Sequence, residues 1–411
     1  MPQPARFHWL SLFQVLLSGL GFLAFSAAGV LLLLLGLMAR LGGSSMATQS
    51  LPFFSLGWIC GLVSVLLAPS IVLSVMRLMN TPLPAWHWGG EYRVAWLVML
   101  AWPLAILAGT YLSRTGTLDW LFLPPLQLLA VGLPLWWLIE LGRRGLPGNS
   151  PQRTWGLLST GLLVSPAVAM LAELAAITGV LVMAVLWLSS QPGTAQQITL
   201  LAQRLANAGT DPEVILRILR PAAMQPSVLI SVLLVASGLI PLIEELIKPL
   251  GLWVLVGKKL TPSQGFLAGL ISGAAFALLE SLTSLANPSG QAWLTLVLGR
   301  TGTGILHSVT TALMGWALAS TWRDGRYLRL AGVYPLAVGL HSLWNLFGLL
   351  MALPVFLGPA SVTGLVAVFL RLGQIAPLAL LVLGALLFLI LLGSNRRLRA
   401  ESGKIGSSLQ T

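Results

Sequence analysis

An all-α, polytopic transmembrane bundle of about ten spans, with both termini cytoplasmic, is predicted by three features of the sequence. The 411 residues are 56% hydrophobic and only 8% charged, with a mean hydropathy of +0.89; no water-soluble domain has that composition. Apolar runs long enough to cross about 30 Å of hydrocarbon recur along the chain. The basic residues punctuate the ends of those runs and are not gathered on a soluble domain. The net charge of +12 is therefore a topology signal, and nucleic acid is excluded as a partner.

The runs lie near 9–38, 53–76, 94–113, 119–141, 156–189, 226–256, 263–287, 293–321, 330–352 and 361–393. The first is far longer than a signal-peptide core, so it is expected to stay as a span. Arg371 and Gln374 interrupt the last; a start nearer Ile375 would leave 353–374 as an outer re-entrant or interfacial piece. The inner connections hold Arg6, Arg77, Arg93, Arg143, Arg144 and Arg153, then Lys258, Lys259, Arg323, Arg326 and Arg329. A basic tail follows with Arg396, Arg397, Arg399 and Lys404. The outer loops hold Arg40 and Arg114, and the 288–292 turn holds no basic residue, with Arg300 just beyond it. That bias fits an even number of spans with both ends inside.

Four segments follow: a five-span scaffold (1–190), an extracytoplasmic amphipathic loop (191–225), a second membrane domain (226–395) that carries the polar residues taken up below, and a basic cytoplasmic tail (396–411). In the scaffold, the single cysteine, Cys60, excludes an internal disulfide and should pack as a small hydrophobe. Trp86, Trp88, Trp136 and Trp137 suit interfacial belts. Glu140 beside Arg143 and Arg144 reads as a surface ion pair, and Glu173 either as a structural acid bonded to a neighbouring helix or as an auxiliary acid. In the loop, Ile198, Leu201 and Leu205 repeat at helical spacing. A second short helix should begin after Thr210 or Asp211 with Pro212 in its first turn. The pair reads as a hairpin on the outer leaflet or, more sharply, as a gate.

Chemistry concentrates in the second half, first in Leu239–Leu250, LIPLIEELIKPL. Charged side chains at bilayer depth cost roughly 2.5–3.5 kcal/mol each on insertion scales, so they mark function. On a helix Glu244, Glu245 and Lys248 share one face. Pro249 has no N–H to offer the Glu245 carbonyl, which should be left for water or a ligand. The next span carries Phe276 and, one turn on, Glu280; the next carries His307; the next carries His341 and Asn345 at i, i+4. All fall about 11 to 17 residues from the inner ends of their helices, a slab roughly 10 Å thick at 1.5 Å per residue. Unpaired, the four charged members would cost on the order of 10–14 kcal/mol. They are expected to face one another in a polar, hydrated cavity.

Carboxylates, imidazoles and an amide around such a cavity suit water activation. A glutamate can take the proton of an attacking water while a His N–H and the Asn345 amide stabilise the oxyanion. Alternatively His307, His341 and Glu280 could hold Zn²⁺ with one position open, leaving another glutamate as base. No H-E-x-x-H and no G-x-S-x-G is present. The order E-E-x-x-K (Glu244, Glu245, Lys248), F-x-x-x-E (Phe276, Glu280), an isolated His307 and H-x-x-W-N (His341, Trp344, Asn345) resembles the PrsW family of intramembrane proteases. That family is distantly related to the CAAX prenyl endopeptidases and ABI-type membrane proteins. The likeness covers roughly 226–352. Glu280 stands where CAAX-type relatives have His, and Lys248 where they have Arg, which favours the PrsW branch.

The resemblance implies a multi-pass protein of the bacterial cell membrane. It implies site-one cleavage of a single-pass substrate, such as an anti-sigma factor, at the outer membrane face. Members are often described as metalloproteases, although the motifs do not themselves imply a metal. The expected roles make Glu244 and Glu245 the water-activating and charge-stabilising pair, with Lys248 tuning their acidity and Glu280 a third carboxylate. His307, His341 and Asn345 are oxyanion donors or metal ligands. The rival class is an ion- or proton-coupled transporter; the absence of an inverted repeat and the crowding of polar marks into one half argue for an enzyme.

Overall fold

The computed structural model describes residues 8–43, 50–83, 92–116, 118–191, 194–209, 211–223, 225–286, 292–357 and 364–408. Arg6, Trp86, Trp88, Thr210 and the 288–291 part of the turn lie outside the described residues. All regular structure within them is helical. The first 190 residues contain α1 (Trp9–Leu41), α2 (Ser50–Leu78), α3 (Tyr92–Met99), α4 (Ala101–Thr115), α5 (Asp119–Arg143) and α6 (Pro151–Ser189). Two short helices follow, α7 (Thr194–Asn207) and α8 (Pro212–Ala223). Next come α9 (Pro226–Leu234), a π-helical turn (Val235–Leu239), α10 (Ile240–Ile247) and α11 (Leu250–Trp253). The chain ends with α12 (Pro262–Ser284), α13 (Trp293–Asp324), α14 (Tyr327–Leu357) and α15 (Gly364–Ser408).

Nine helices among the described residues are long and apolar enough to cross a membrane. They match the expected runs with one instructive exception. The eighth run is present as the 32-residue helix α13, but it is too rich in Gly, Ser and Thr to count as apolar. It is also extensively buried, so protein covers its polar groups and lipid need not. At the other end, α15 begins at Gly364 and carries Arg371 and Gln374 without interruption. The alternative start near Ile375 is therefore corrected.

The described chain forms two compact units. The first comprises Met1–Pro166, Ile247–Ala337 and Leu386–Thr411, the second Ala167–Leu246 and Val338–Ala385. One boundary falls at Pro166, inside α6, and another runs through the E-E-x-x-K motif between Leu246 and Ile247.

In the first unit, α1 and α2 approach through small residues: a Cβ added at Gly29 would lie 3.2 Å from the Cβ of Cys60 and 3.4 Å from the Gly57 carbonyl oxygen. Hydroxyls bind the same pair, Ser18 to Ser70 at 2.8 Å and Ser26 to Ser64 at 3.2 Å. Small residues with hydrogen-bonding side chains are what helices use to associate where lipid tails are as apolar as leucine. Cys60 is buried and unbridged, as its size suggested. Thr261 and Gln264 open α12 with a capping box, each side chain bonded to the other's backbone N–H, and Pro262 occupies the first turn. Glu140 does pair with Arg143, at 2.7 Å, but it is only 3% exposed. The surface location expected for it is corrected, because α5 is packed on several sides. Trp137, expected at an interfacial belt, stacks on Phe388 and meets Trp96 edge-on.

The second unit has its own apolar core, where Leu229 and Leu233 of α9 meet Leu350, Leu353 and Leu357 of α14 and Val366 of α15. Glu173 is half-buried on α6. The loop helices behave as their pattern predicts. No residue of α7 is buried, and Ile198, Leu201 and Leu205 form its less exposed face. Asp211 starts α8, its Oδ1 accepting the Val214 N–H at 3.4 Å.

Candidate active site

Each of the two units holds a network of the polar groups singled out in the sequence. In the second unit Glu244 and Glu245 sit on α10 and His341 on α14, all buried. His341 Nδ1 lies 2.9 Å from Glu245 Oε1. An ionised carboxylate can only accept, so Nδ1 carries the ring proton and Nε2 keeps its lone pair. Nε2 is turned toward Glu244, 4.0 Å from Oε2. That separation is too long for a hydrogen bond.

A carboxylate behind an imidazole, fixing its tautomer while the far nitrogen faces another oxygen donor, is the usual orientation of a metal-ligating histidine. His341 Nε2 and the Glu244 carboxylate are thus donors of the right chemistry for Zn²⁺. Glu245 supports them from behind. On this geometry the two adjacent glutamates are not equivalent.

Asn345, one turn beyond His341, has a different partner. In the π-helical turn Val235–Leu239 the Ile240 N–H reaches back five residues to the Val235 carbonyl. In that register the donor for the Ala236 carbonyl would be residue 241, and a proline has none. The Asn345 Nδ2 supplies it instead, donating to the Ala236 oxygen at 3.0 Å. The amide expected as an oxyanion donor therefore braces the turn that leads into the glutamates. Asn345→Ala should leave that carbonyl unmet and cost about 1–3 kcal/mol. A lowered melting temperature in detergent, with faster amide exchange over 235–240, would show it; unchanged exchange there would count against the bracing role.

The first unit holds Lys248, Phe276, Glu280 and His307. Lys248 Nζ is 2.6 Å from His307 Nδ1 and 5.4 Å from the centre of the Phe276 ring. That ring also meets His307 edge-on, at 5.4 Å and 76°. An ammonium can only donate, so Nδ1 accepts and the His307 proton sits on Nε2. Nε2 lies 2.7 Å from Glu280 Oε2, and the other oxygen of Glu280 is 2.9 Å from Arg300 Nη2. The result is a chain, Lys248–His307–Glu280–Arg300. It runs from a fully buried ammonium, through a carboxylate whose side chain is 35% exposed, to the Arg300 guanidinium. Both His307 nitrogens are engaged, so ligation of a metal by His307 and Glu280 would require exchanging one of these contacts.

The local backbone explains how Lys248 is aimed. Pro249 breaks the helix after α10, and the N–H groups of Leu252 and Trp253 both turn to the Pro249 carbonyl, at 2.8 and 3.2 Å. The Lys248 carbonyl is taken instead by two serines, Ser272 at 2.7 Å and Ser165 at 3.3 Å. The break is real, but the released carbonyl that the structure shows satisfied is that of Lys248.

Three contributors escaped sequence reasoning. Arg300 enters above only as lying just beyond the 288–292 turn, although a lone arginine about two helical turns before the histidine is a usable signal. Ser165 and Ser272 carry no pattern of their own. The third is the glycine series Gly265, Gly269 and Gly273, a small-x-x-x-small repeat on α12. A Cβ at Gly273 would lie 2.3 Å from the His307 carbonyl oxygen, so this repeat seats His307.

Comparison with known proteins agrees with the resemblance. The family model described as PrsW family intramembrane metalloprotease matches residues 166–372, half of the chain. It begins within α6, upstream of the motifs. No curated protein and no solved structure matches.

Proposed function

The chain belongs to the PrsW family of intramembrane metalloproteases, and from that premise we propose that it is a site-one endopeptidase of the bacterial plasma membrane. Its substrates would be single-pass membrane proteins of the anti-sigma-factor kind, cut near the outer membrane face. The observation that carries the catalytic assignment is the Glu245–His341 pair at 2.9 Å with Nε2 turned toward Glu244.

In this reading Glu245 holds the His341 tautomer, and Glu244 with His341 Nε2 forms the working pair. A metal ion held by His341 and Glu244 would polarise the scissile carbonyl and supply a water acidic enough to attack near neutral pH. Without one, Glu244 serves as the base for water. Glu280 and His307 exchange protons, with Lys248 fixing which nitrogen of His307 is protonated. Asn345 is a positioning residue acting through the Ala236 turn. The five-span scaffold is proposed to dock the substrate or a partner.

The test is a reconstituted assay. The protein and a doubly labelled single-pass substrate are placed in proteoliposomes, the products mapped by mass spectrometry and metal content measured in parallel. We expect one cut near the membrane, lost in His341→Ala and sensitive to a strong chelator. Uptake of protons or another ion without any cleavage would return the protein to the transporter class. Cleavage indifferent to chelator, with no metal bound, would leave the glutamate-only chemistry.

A further inference from the structure

Within the first unit, at the basic end of the bundle, lies a cavity of about 610 Å³. The start of α1, the end of α2, the start of α6 and the segment after α11 surround it. Arg77, Arg153 and Lys258 line it, and no acidic side chain does so among the described residues. One N–H of Arg153 is spent on Asn149 Oδ1 at 3.1 Å, which leaves the rest of the guanidinium fork for a ligand. The floor is polar and already organised. Gln152 Nε2 donates to Ser11 Oγ at 2.7 Å, and Gln14 Nε2 donates to Ser70 Oγ at 2.9 Å. Trp9 stands 72% exposed at the rim, the place of an interfacial anchor.

A second cleft of about 130 Å³ adjoins the first and shares Leu10, Gln14, Arg153 and Leu255 with it. Its other walls, including Phe13, Leu17 and Val164, are almost entirely apolar. Three cations without an anion repel one another until a counter-anion enters. Inorganic phosphate would answer the charges but leave the apolar cleft unused. An amphiphile answers both, and by the positive-inside pattern this end faces the leaflet where anionic lipids meet basic residues.

We propose that this compartment binds one anionic phospholipid. Its phosphate sits among Arg77, Arg153 and Lys258, and one acyl chain lies in the cleft against Leu250 and Leu255. The lipid then buttresses the segment that directly follows Lys248 and Pro249.

The test uses the full-length protein, delipidated in neutral detergent and followed by native mass spectrometry. It is titrated with phosphatidylglycerol, with phosphatidylcholine of the same acyl chains, and with inorganic phosphate. One phosphatidylglycerol should be retained at least tenfold more tightly than phosphatidylcholine. The double variant Arg77→Gln/Lys258→Gln, at two exposed positions, should lose about tenfold or more in retention, and with it the preference. Val164→Trp, which fills the cleft, should weaken both lipids while keeping the preference; if it does not fold, the double variant decides. Equal retention of the two lipids would overturn the proposal. So would an unaffected double variant, or inorganic phosphate displacing phosphatidylglycerol at matched concentration.

Discussion

Replacing Glu244 by Gln is expected to lower the cleavage rate about a thousandfold or more, within the range for loss of a positioned base. Glu245→Gln should cost less and fail differently. Glu244 faces Nε2 of His341, so an amide there removes the negative oxygen that serves water or a metal. Glu245 instead supports the ring from behind, and a glutamine can still accept the Nδ1 proton through its own oxygen. What Glu245→Gln loses is the charge behind the hydrogen bond. Losses at such supporting positions run to about 10–100-fold in metal affinity or activity. Added metal should therefore recover part of the rate in Glu245→Gln and none in Glu244→Gln.

Neither change should unfold the protein, because each removes one of two adjacent buried carboxylates and relieves their repulsion. Single-turnover rates with and without added Zn²⁺, beside melting temperatures, separate the cases. Equal losses that ignore metal would show the two carboxylates to be interchangeable, and an active Glu244→Gln would remove Glu244 from the chemistry.

Much of this arrangement was legible because burying charge in a bilayer is expensive. Glu244, Glu245, Lys248, Glu280, His307 and His341 stand out in an apolar chain, and each is found in a polar network. Pairing was harder to read. A wheel places Lys248 beside the glutamates but does not show that its ammonium reaches His307 on another helix. Pro249 marks a backbone break, but the sequence does not show which groups meet the carbonyls beside it. A π turn shifts the register by one residue, so Pro241 frees Ala236; the short turn after Pro249 leaves Lys248 to the serines. Neither shift has a local signature, since Val235–Leu239 reads as ordinary helix. The compact units were not legible either. Hydropathy shows where spans begin and end, whereas the boundary at Pro166 lies in the middle of one, and long-range packing decides it.

The largest effect on stability is expected where α12 crosses α13. A Cβ at Gly269 would come within 2.1 Å of the Thr311 carbonyl oxygen, and one at Gly265 within 2.4 Å of that of Gly315. From the other side, a Cβ at Gly315 would meet the Gly265 carbonyl oxygen at 2.2 Å. These neighbours are backbone and cannot swing aside, so a methyl must push the helices apart. Alanine would gain up to about 1 kcal/mol of helix propensity over glycine. The steric penalty, about 1–3 kcal/mol for overpacking and more for a larger side chain, should outweigh it. Gly269→Ala should therefore lower the melting temperature, and Gly269→Leu should prevent the first unit from forming. Gly299→Ala on α13, with nothing within 4 Å, should be neutral or mildly stabilising, which controls for propensity. Gly273→Ala adds a separate effect, because its clash falls on the His307 carbonyl oxygen, in the residue whose ring joins Lys248 to Glu280. At matched destabilisation it should cost more cleavage activity than Gly269→Ala. If the two variants lose activity in step with stability alone, the crossing holds the fold but does not aim the histidine.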